Sequence, residues 1–362
     1  MNGQFKELRG DCLLAASLRG DLRDLLKNQH IAITGGTGFL GSWIAETVAA
    51  LNDEYGLEIS LDIYARNVAD WSKKYPHLAL RNDIHTISQD VRSPFLFDAR
   101  TSYVVHAAGI PDNRVHASDP LRVHQTIIYG MDHALEAASK LPGLKRLINV
   151  SSCLVNGTPN RAGALVESDC FPMQAGELHT VYREAKRAAE SLCSVYRSQF
   201  RMPVSTVRPF TFVGPYQELD RPWAINNFML DAIRGTDIRI LGDGSARRSY
   251  LYGSDAAWWT MVALVTGGDG QIYNLGSDQP IAHVELAKII SDLMSIKVES
   301  AIRKSETKQR VLDDLYPDMS NTQKILGIVQ TCSLEQAISK TYRWYSCKKQ
   351  NNHNYFSRHN NV

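Results

Sequence analysis

The sequence predicts an α/β protein: a doubly wound parallel sheet followed by a smaller C-terminal lobe. Three observations carry that prediction. From His30 to Arg208, short apolar runs alternate with helical patterns. A glycine-rich turn, T34-G-G-T-G-F-L-G41, stands between the first apolar run and the first helical pattern. After about Gly214 the alternation stops, and Gly, Pro and aromatic residues become frequent. Short apolar strands alternating with helices imply a parallel sheet covered on both faces, an arrangement of the Rossmann type. With 362 residues the chain can bury a large core, as one α/β unit or two joined lobes.

Residues 1–28 carry Leu13, Leu14, Leu18, Leu22, Leu25 and Leu26 at nearly helical spacing, which predicts a helical N-terminal extension packed as an extra layer. The short apolar piece Cys12–Leu18 lies among charges and does not read as a secretory signal. Residues 29–213 form the expected dinucleotide domain. Its strands are predicted at His30–Thr34, Ile59–Ala65, Ile84–Ser88, Tyr103–His106, Arg146–Ser151 and Val204–Arg208. Helices are predicted at Phe39–Leu51, Leu121–Lys140 and Thr180–Phe200. Residues 214–347 are expected to form the second lobe, partly interleaved with the first and closing over the carboxyl ends of the strands, where such sheets bind ligands. Residues 348–362, rich in Asn, His and Lys with little to bury, are expected to be a disordered tail.

Composition excludes several classes. A net charge of +2 offers no general case for nucleic-acid or membrane binding. The apolar runs are too short to span a bilayer. Six scattered cysteines contain no C-x-x-C pair, so no metal site or disulfide framework is expected, and a reducing cytoplasm is the natural compartment.

The glycine turn has the order a pyrophosphate needs. A strand delivers the chain, small residues let the backbone approach the anion, and the following helix aims unpaired N–H groups at it. Further along, Tyr182 and Lys186 stand four apart, which puts both on one helix face. An ammonium beside a phenol is expected to lower the phenol pKa, so that Tyr182 can take a proton from a sugar hydroxyl. Upstream, I148-N-V-S-S-C-L-V-N-G157 brings Ser151 and Ser152 to a strand end. One of the two can meet the reacting oxygen and the other caps the loop.

These residues resemble the extended short-chain dehydrogenase/reductases that modify nucleotide sugars, over about residues 29–345. The resemblance rests on the glycine turn, Asp90-Val91, H106-A-A-G109, V150-S-S-C153, Tyr182 with Lys186, R208-P-F-T-F-V-G-P215 and G242-D-G-S-A-R-R-S-Y250 followed by Asp255. It implies that Gly35, Thr37, Gly38, Phe39, Leu40 and Gly41 hold the pyrophosphate and that Asp90 and Val91 lie near the adenine. It implies that Ala107, Ala108 and Gly109 line the cofactor cleft. Ser152, Tyr182 and Lys186 would be the catalytic trio, with Lys186 also on the nicotinamide ribose. Arg248 would hold the substrate diphosphate, with Arg247 solvent-facing, and Asn227 would contact the nucleotide. Thr211 stands where the family usually has Asn. The family also implies a homodimer through Leu121–Lys140 and Thr180–Phe200.

The strand-end segment D62-I-Y-A-R-N67 offers Arg66 and Asn67 where an NAD enzyme typically has an acid, with Asp62 too early. The cofactor is therefore NAD(P), with NADP favoured over NAD. The family's dehydratases carry an Asp-Glu pair directly after the catalytic hydroxyl; this chain has Cys153 and Leu154. Cys153 can act as an acid or base if its pKa is shifted, or be simply a small buried residue. Glu167, Glu177 and His179 are further candidates. The expected enzyme acts on a nucleotide-diphosphate sugar through a 4-keto intermediate, as an epimerase or C4 oxidoreductase. The alternative is a 4,6-dehydratase whose acid is displaced. The alternative of another class is a non-catalytic sensor or scaffold.

Overall fold

The computed structural model describes residues 3–174, 176–301 and 314–351. Helices α1 (Gly3–Ser17) and α2 (Arg23–Leu26) precede the first strand. The alternating part follows as β1 (His30–Thr34), α3 (Phe39–Tyr55), β2 (Ser60–Ala65), α4 (Val68–Lys74), α5 (Pro76–Ala79), β3 (Ile84–Ser88) and β4 (Tyr103–His106). It continues with α6 (Asn113–Ser118), α7 (Pro120–Ser139), β5 (Arg146–Val150), α8 (Val181–Phe200) and β6 (Val204–Pro209). Then come β7 (Thr211–Val213), α9 (Ala224–Arg234), β8 (Ile238–Leu241), β9 (Arg247–Arg248), β10 (Tyr250–Tyr252) and α10 (Gly253–Thr266). The last elements are β11 (Ile272–Leu275), β12 (Ile281–Ala282), α11 (His283–Met294), β13 (Val298–Ala301), α12 (Ser320–Leu326) and α13 (Leu334–Asn351).

Seven strands form one parallel sheet in the order β11-β6-β5-β4-β1-β2-β3. The chain reverses direction of winding between β1 and β4, the point at which such sheets open a crevice. All five residues of β1 are buried, as a strand covered on both faces requires. Ile31 and Ile33 enter the larger core with Trp43, Ile44 and Val48 of α3. Ala32 turns to the opposite core with Val104, Ile127 and Leu147. That alternation is the two-residue period of a strand. Every predicted strand of the alternating part is present, with ends shifted by at most one residue. Helix α3 runs past its expected end at Leu51 and stops at Gly56, which takes a left-handed conformation at φ 59°.

The N-terminal extension packs against α3 and α10. It buries Leu8, Cys12, Ala15 and Ala16, and Asp11 accepts from Tyr252 Oη at 3.0 Å and pairs with Lys340 of α13. Strand β11 returns from the C-terminal half to pair with β6 (Ile272↔Thr206), an addition that the periodicity did not announce. The expected tail from residue 348 opens as helix, since α13 continues to Asn351; residues 352–362 lie outside the described residues. No helix among the described residues is long and apolar enough to cross a membrane.

Candidate active site

The carboxyl ends of β1, β4 and β5 open on a cleft of about 1360 Å³. Its floor is the glycine turn. Gly35 has φ +69°, and a Cβ there would lie 2.7 Å from Ala108 Cα and 2.8 Å from the Ala107 carbonyl. A Cβ at Gly41 would strike the backbone of Gly36, so α3 can leave the turn this closely only without one. Gly38 caps α3 with no side-chain hydrogen bond, which leaves the first N–H groups of the helix available to an anion. This cradle fits a dinucleotide pyrophosphate.

The cleft is lined by Gly35, Thr37, Gly38, Phe39, Leu40 and Gly41 from the turn, by Arg66 and Asn67 after β2, and by Asp90 and Val91 after β3. Ala107, Ala108 and Gly109 line it after β4. The Asn67 side chain caps α4, accepting from Asp70 N at 3.4 Å. Asp90 is paired with Arg92 at 2.6 Å, which holds its carboxyl below the usual range. Arg66 forms no ion pair among the described residues, and the nearest charges acting on it are Arg122, Asp90 and Arg92. Asp62 does not reach the cleft, because it is buried between His30 and His85.

Ser152, Tyr182 and Lys186 line the same cleft. Lys186 Nζ donates to the Val150 carbonyl at 2.7 Å and lies beside Gly109, whose Cβ would sit 3.5 Å away. Burial pulls the Lys186 pKa down to about 8, against the opposing charge of Glu190. Burial pushes Tyr182 up to about 12, against a hydrogen bond shared with Ser152. The expectation that Lys186 lowers the phenol pKa is thus not met in the free protein. The ammonium is spent on a backbone carbonyl and both groups are out of water, so desolvation dominates.

The two serines part company. Ser151 Oγ donates to Glu190 Oε1 at 2.6 Å, and Glu190 is clamped by Arg208 at 2.8 Å. Arg208 also donates to the Glu167 carbonyl at 2.7 Å. Ser152 faces the cleft, accepts from Leu154 N at 3.2 Å and meets Tyr182 and Cys153. Cys153 is buried on the cleft wall. Burial pushes its thiol up to about 12, with Arg248 and Arg183 opposing, so it stays protonated at neutral pH. Glu167 is occupied by Asn274 N (3.2 Å) and Thr322 Oγ1 (2.8 Å). His179 reaches the mouth of the cleft, and Glu177 lies 4.0 Å from it outside the lining.

Thr211 of β7 and Arg248 of β9 also line the cleft, and Arg248 borders an adjoining cavity of about 520 Å³. Arg247 is exposed, with its guanidinium over the Tyr316 ring at 5.2 Å. Asn227 is not among the residues that line the cleft. It lies a turn into α9, beyond Trp223, Ala224 and Ile225, which do. Its neighbour Asn226 is buried and donates to the Glu218 carbonyl at 3.0 Å, holding the loop in place.

His116 went unnoticed in the sequence. Its ring stacks on Tyr182 at 4.5 Å between centroids and 17° between planes. Its Nε2 donates to the Ile110 carbonyl at 2.6 Å, and burial pulls its pKa down. Its place in the segment after β4, which otherwise carries only small cleft residues, was the one available signal.

Residues 31–276 match the NAD dependent epimerase/dehydratase family, and the chain belongs to that family. It is 27% identical over 325 residues to a trifunctional UDP-glucose 4,6-dehydratase/UDP-4-keto-6-deoxy-D-glucose 3,5-epimerase/UDP-4-keto-L-rhamnose-reductase of Arabidopsis thaliana, covering 88% of this chain and 48% of that protein. The chain therefore spans about half the length of this relative. It is 25% identical over 322 residues to UDP-glucuronic acid decarboxylase 1 of Xenopus tropicalis, covering 88% of this chain and 72% of that one. Its fold is similar to that of UDP-glucose 4-epimerase of Thermotoga maritima, at TM-score 0.74 and 20% identity over 88% of this chain and 99% of that one. UDP-glucuronic acid 4-epimerase of Bacillus cereus, solved with UDP-glucuronic acid and NAD, aligns at TM-score 0.74 and 22% identity over 88% and 100%.

Proposed function

We propose that this protein is an NAD(P)-dependent enzyme that oxidises a nucleotide-linked hexose at C4, and that it acts as an epimerase or a C4 oxidoreductase. The observation that carries this reading is the convergence of Ser152, Tyr182 and Lys186 beside the glycine cradle, with no carboxylate following Ser152. A bound nicotinamide supplies hydride acceptance. The chain's own residues supply the rest. In its phenolate form Tyr182 takes the proton of the C4 hydroxyl and Ser152 hydrogen-bonds the same oxygen; Lys186 orients the cofactor ribose, and its charge together with that of an oxidised nicotinamide would favour the phenolate over the neutral phenol of the free protein. Arg248 holds the substrate diphosphate, where a guanidinium pairs two oxygens at once.

Elimination or decarboxylation needs a further proton-transfer group near Ser152. Leu154 cannot serve, the Cys153 thiol is held protonated by burial and so offers no base, and Glu167 is engaged elsewhere. That favours epimerisation or simple redox over 4,6-dehydration. Incubation with a panel of UDP-, dTDP-, GDP- and CDP-sugars, read by product mass and proton NMR, tests it. Unchanged mass or a two-hydrogen change supports the reading; loss of water or carbon dioxide overturns it. Binding with no chemistry on any sugar points to a sensor or scaffold.

For the cofactor, Arg66 with Arg122 nearby supports NADP, since Asp62 is withdrawn from the ribose side. Equal affinity for NAD and NADP, unchanged in Arg66→Ala, refutes that preference. A homodimer through α7 and α8 is supported by exposed Leu121, Tyr129, Val195 and Phe200 on those helices. A monomer mass in light scattering across a wide concentration range refutes it.

A further inference from the structure

His30 opens β1, at the other end of that strand from the glycine turn. Asp62 stands opposite Ala32 in β2, and His85 stands opposite Asp62 in β3. Side chains alternate along a strand, so His30, Asp62 and His85 lie on one face of three adjacent strands. Asp98, from the segment before β4, closes over them. Among the described residues, His30, Asp62 and Asp98 are the one group of three such side chains whose donor atoms all lie within 4.8 Å of one another.

Two features set the cluster apart from an ordinary ion pair. His30 is only 5% exposed, yet neither ring nitrogen makes a directed hydrogen bond. Its Nε2 lies 3.0 Å from Asp62 Oδ2 and its Nδ1 4.0 Å from Asp98 Oδ1. A nitrogen that close to a carboxylate oxygen, without an N–H aimed at it, is placed as one ligand of an ion is placed beside another. Second, Asp62 is also 5% exposed and has no lysine or arginine partner among the described residues. A carboxylate taken out of water without a cation is costly. Its other oxygen lies 3.1 Å from His85 Nδ1, the kind of outer contact that orients a metal-binding carboxylate.

We propose that His30, Asp62 and Asp98 bind one divalent first-row transition-metal ion, with His85 orienting Asp62. The donor set is one imidazole and two carboxylates, which suits Zn²⁺ and its neighbours rather than Ca²⁺ or Mg²⁺. One ion takes a single nitrogen of His30 and one oxygen from each carboxylate; such a set lies within 4.8 Å here, and an ion between them would draw the donors in to ligand distances of about 2.0–2.2 Å. Asp98 is partly exposed and pairs with the exposed Arg100 at 2.8 Å, so the ion enters from this side as the guanidinium swings into solvent. The site departs from the expectation of no metal, which rested on cysteine spacing and could not see strand register. It is separate from the catalytic reading and stands or falls without it.

The test uses the full chain, stripped with EDTA, loaded with Zn²⁺ and passed through gel filtration, with metal per chain measured by mass spectrometry. Wild type and His124→Gln, an exposed histidine elsewhere, are expected to retain one zinc. His30→Gln is expected to lose it, and Asp98→Asn to weaken binding by about 10–100-fold. NAD(P) binding reports whether each variant is folded. If His30→Gln does not fold, Asp98→Asn and the visible spectrum of the Co²⁺-loaded wild type carry the test. The proposal is overturned if wild type elutes without zinc, or if zinc is retained equally by the ligand variants. It is also overturned if NMR finds His30 as an imidazolium in the presence of zinc.

Discussion

Replacing Lys186 by Met separates what this residue does for the site from what it costs the fold. Burial lowers its pKa from the ordinary 10.5 to about 8. A fall of about 2.5, at 1.36 kcal/mol per tenfold change, corresponds to about 3 kcal/mol. Below pH 8 the amine is charged in both folded and unfolded chains, and the fold bears that cost in full. Between pH 8 and 10.5 the unfolded chain binds more protons than the folded one, so stability rises with pH. Met fills a similar volume without a charge, and loses one charge-assisted bond to the Val150 carbonyl, worth about 1.5–3 kcal/mol. The two effects nearly cancel. Lys186→Met is therefore expected to match wild-type stability at pH 7 within about 1 kcal/mol and to lose turnover. Urea unfolding at a series of pH values checks it: wild type gains up to about 3 kcal/mol from pH 8 to 10.5 relative to the variant. A variant that is several kcal/mol less stable at pH 7, or one with the same pH slope as wild type, refutes the reasoning.

Tyr182→Phe keeps the ring stacked on His116 and removes the proton acceptor, so kcat is expected to fall by about 10²–10⁴-fold with cofactor affinity unchanged; normal turnover in steady-state assays refutes the role. Arg248→Ala is expected to raise the KM for nucleotide sugar by about 10–100-fold, and Arg247→Ala to leave it within about twofold; similar effects at both positions refute the assignment. If His116 acts by stacking, His116→Ala lowers kcat by up to about tenfold and His116→Phe restores most of it, with no shift in the pH profile; a Phe variant as impaired as Ala refutes a packing role. Gly35→Ala places a methyl 2.7 Å from Ala108 Cα and is expected to abolish cofactor binding in a calorimetric titration.

The parts of the fold that were legible in the sequence are those fixed by local pattern. His30–Thr34 and Tyr103–His106 are continuous apolar runs that only a doubly covered strand explains, and they are strands. The placement of Ser152, Tyr182 and Lys186 on one cleft was legible because each sits at a strand end or on a helix face whose direction spacing reveals. What spacing cannot report is solvent. It puts Lys186 beside Tyr182 but says nothing of the Val150 carbonyl that takes the ammonium, or of the burial that drives the two pKa values towards neutrality of each group. Nor does it carry distant register: β11 pairs with β6 across more than sixty residues (Ile272↔Thr206), inside a stretch rich in Gly. Asn227 stands outside the cleft lining for a smaller reason. On α9 one residue is a large rotation, and it is Asn226 that turns inward.

The adjacent serines show how the site is held. Tyr182, Lys186 and Glu190 recur every four residues on α8, and so share a face of that helix. The first two enter the cleft and the third does not. Glu190 accepts from Ser151 at the end of β5 and from Arg208 in β6, and Arg208 reaches on to the Glu167 carbonyl. A buried arginine–carboxylate pair adds little net stability, because desolvation offsets its attraction. Its geometry is its value. It ties the helix that carries Tyr182 and Lys186 to the end of β5, where the Val150 carbonyl and Ser152 lie, so that Tyr182, Lys186 and Ser152 cannot drift independently. Removing Arg208 would leave Glu190 without its guanidinium partner, close to an amine whose pKa it already raises. The Lys186 ammonium would then be drawn along the helix towards Glu190 and away from Gly109, so the site would lose its alignment before the fold lost its core.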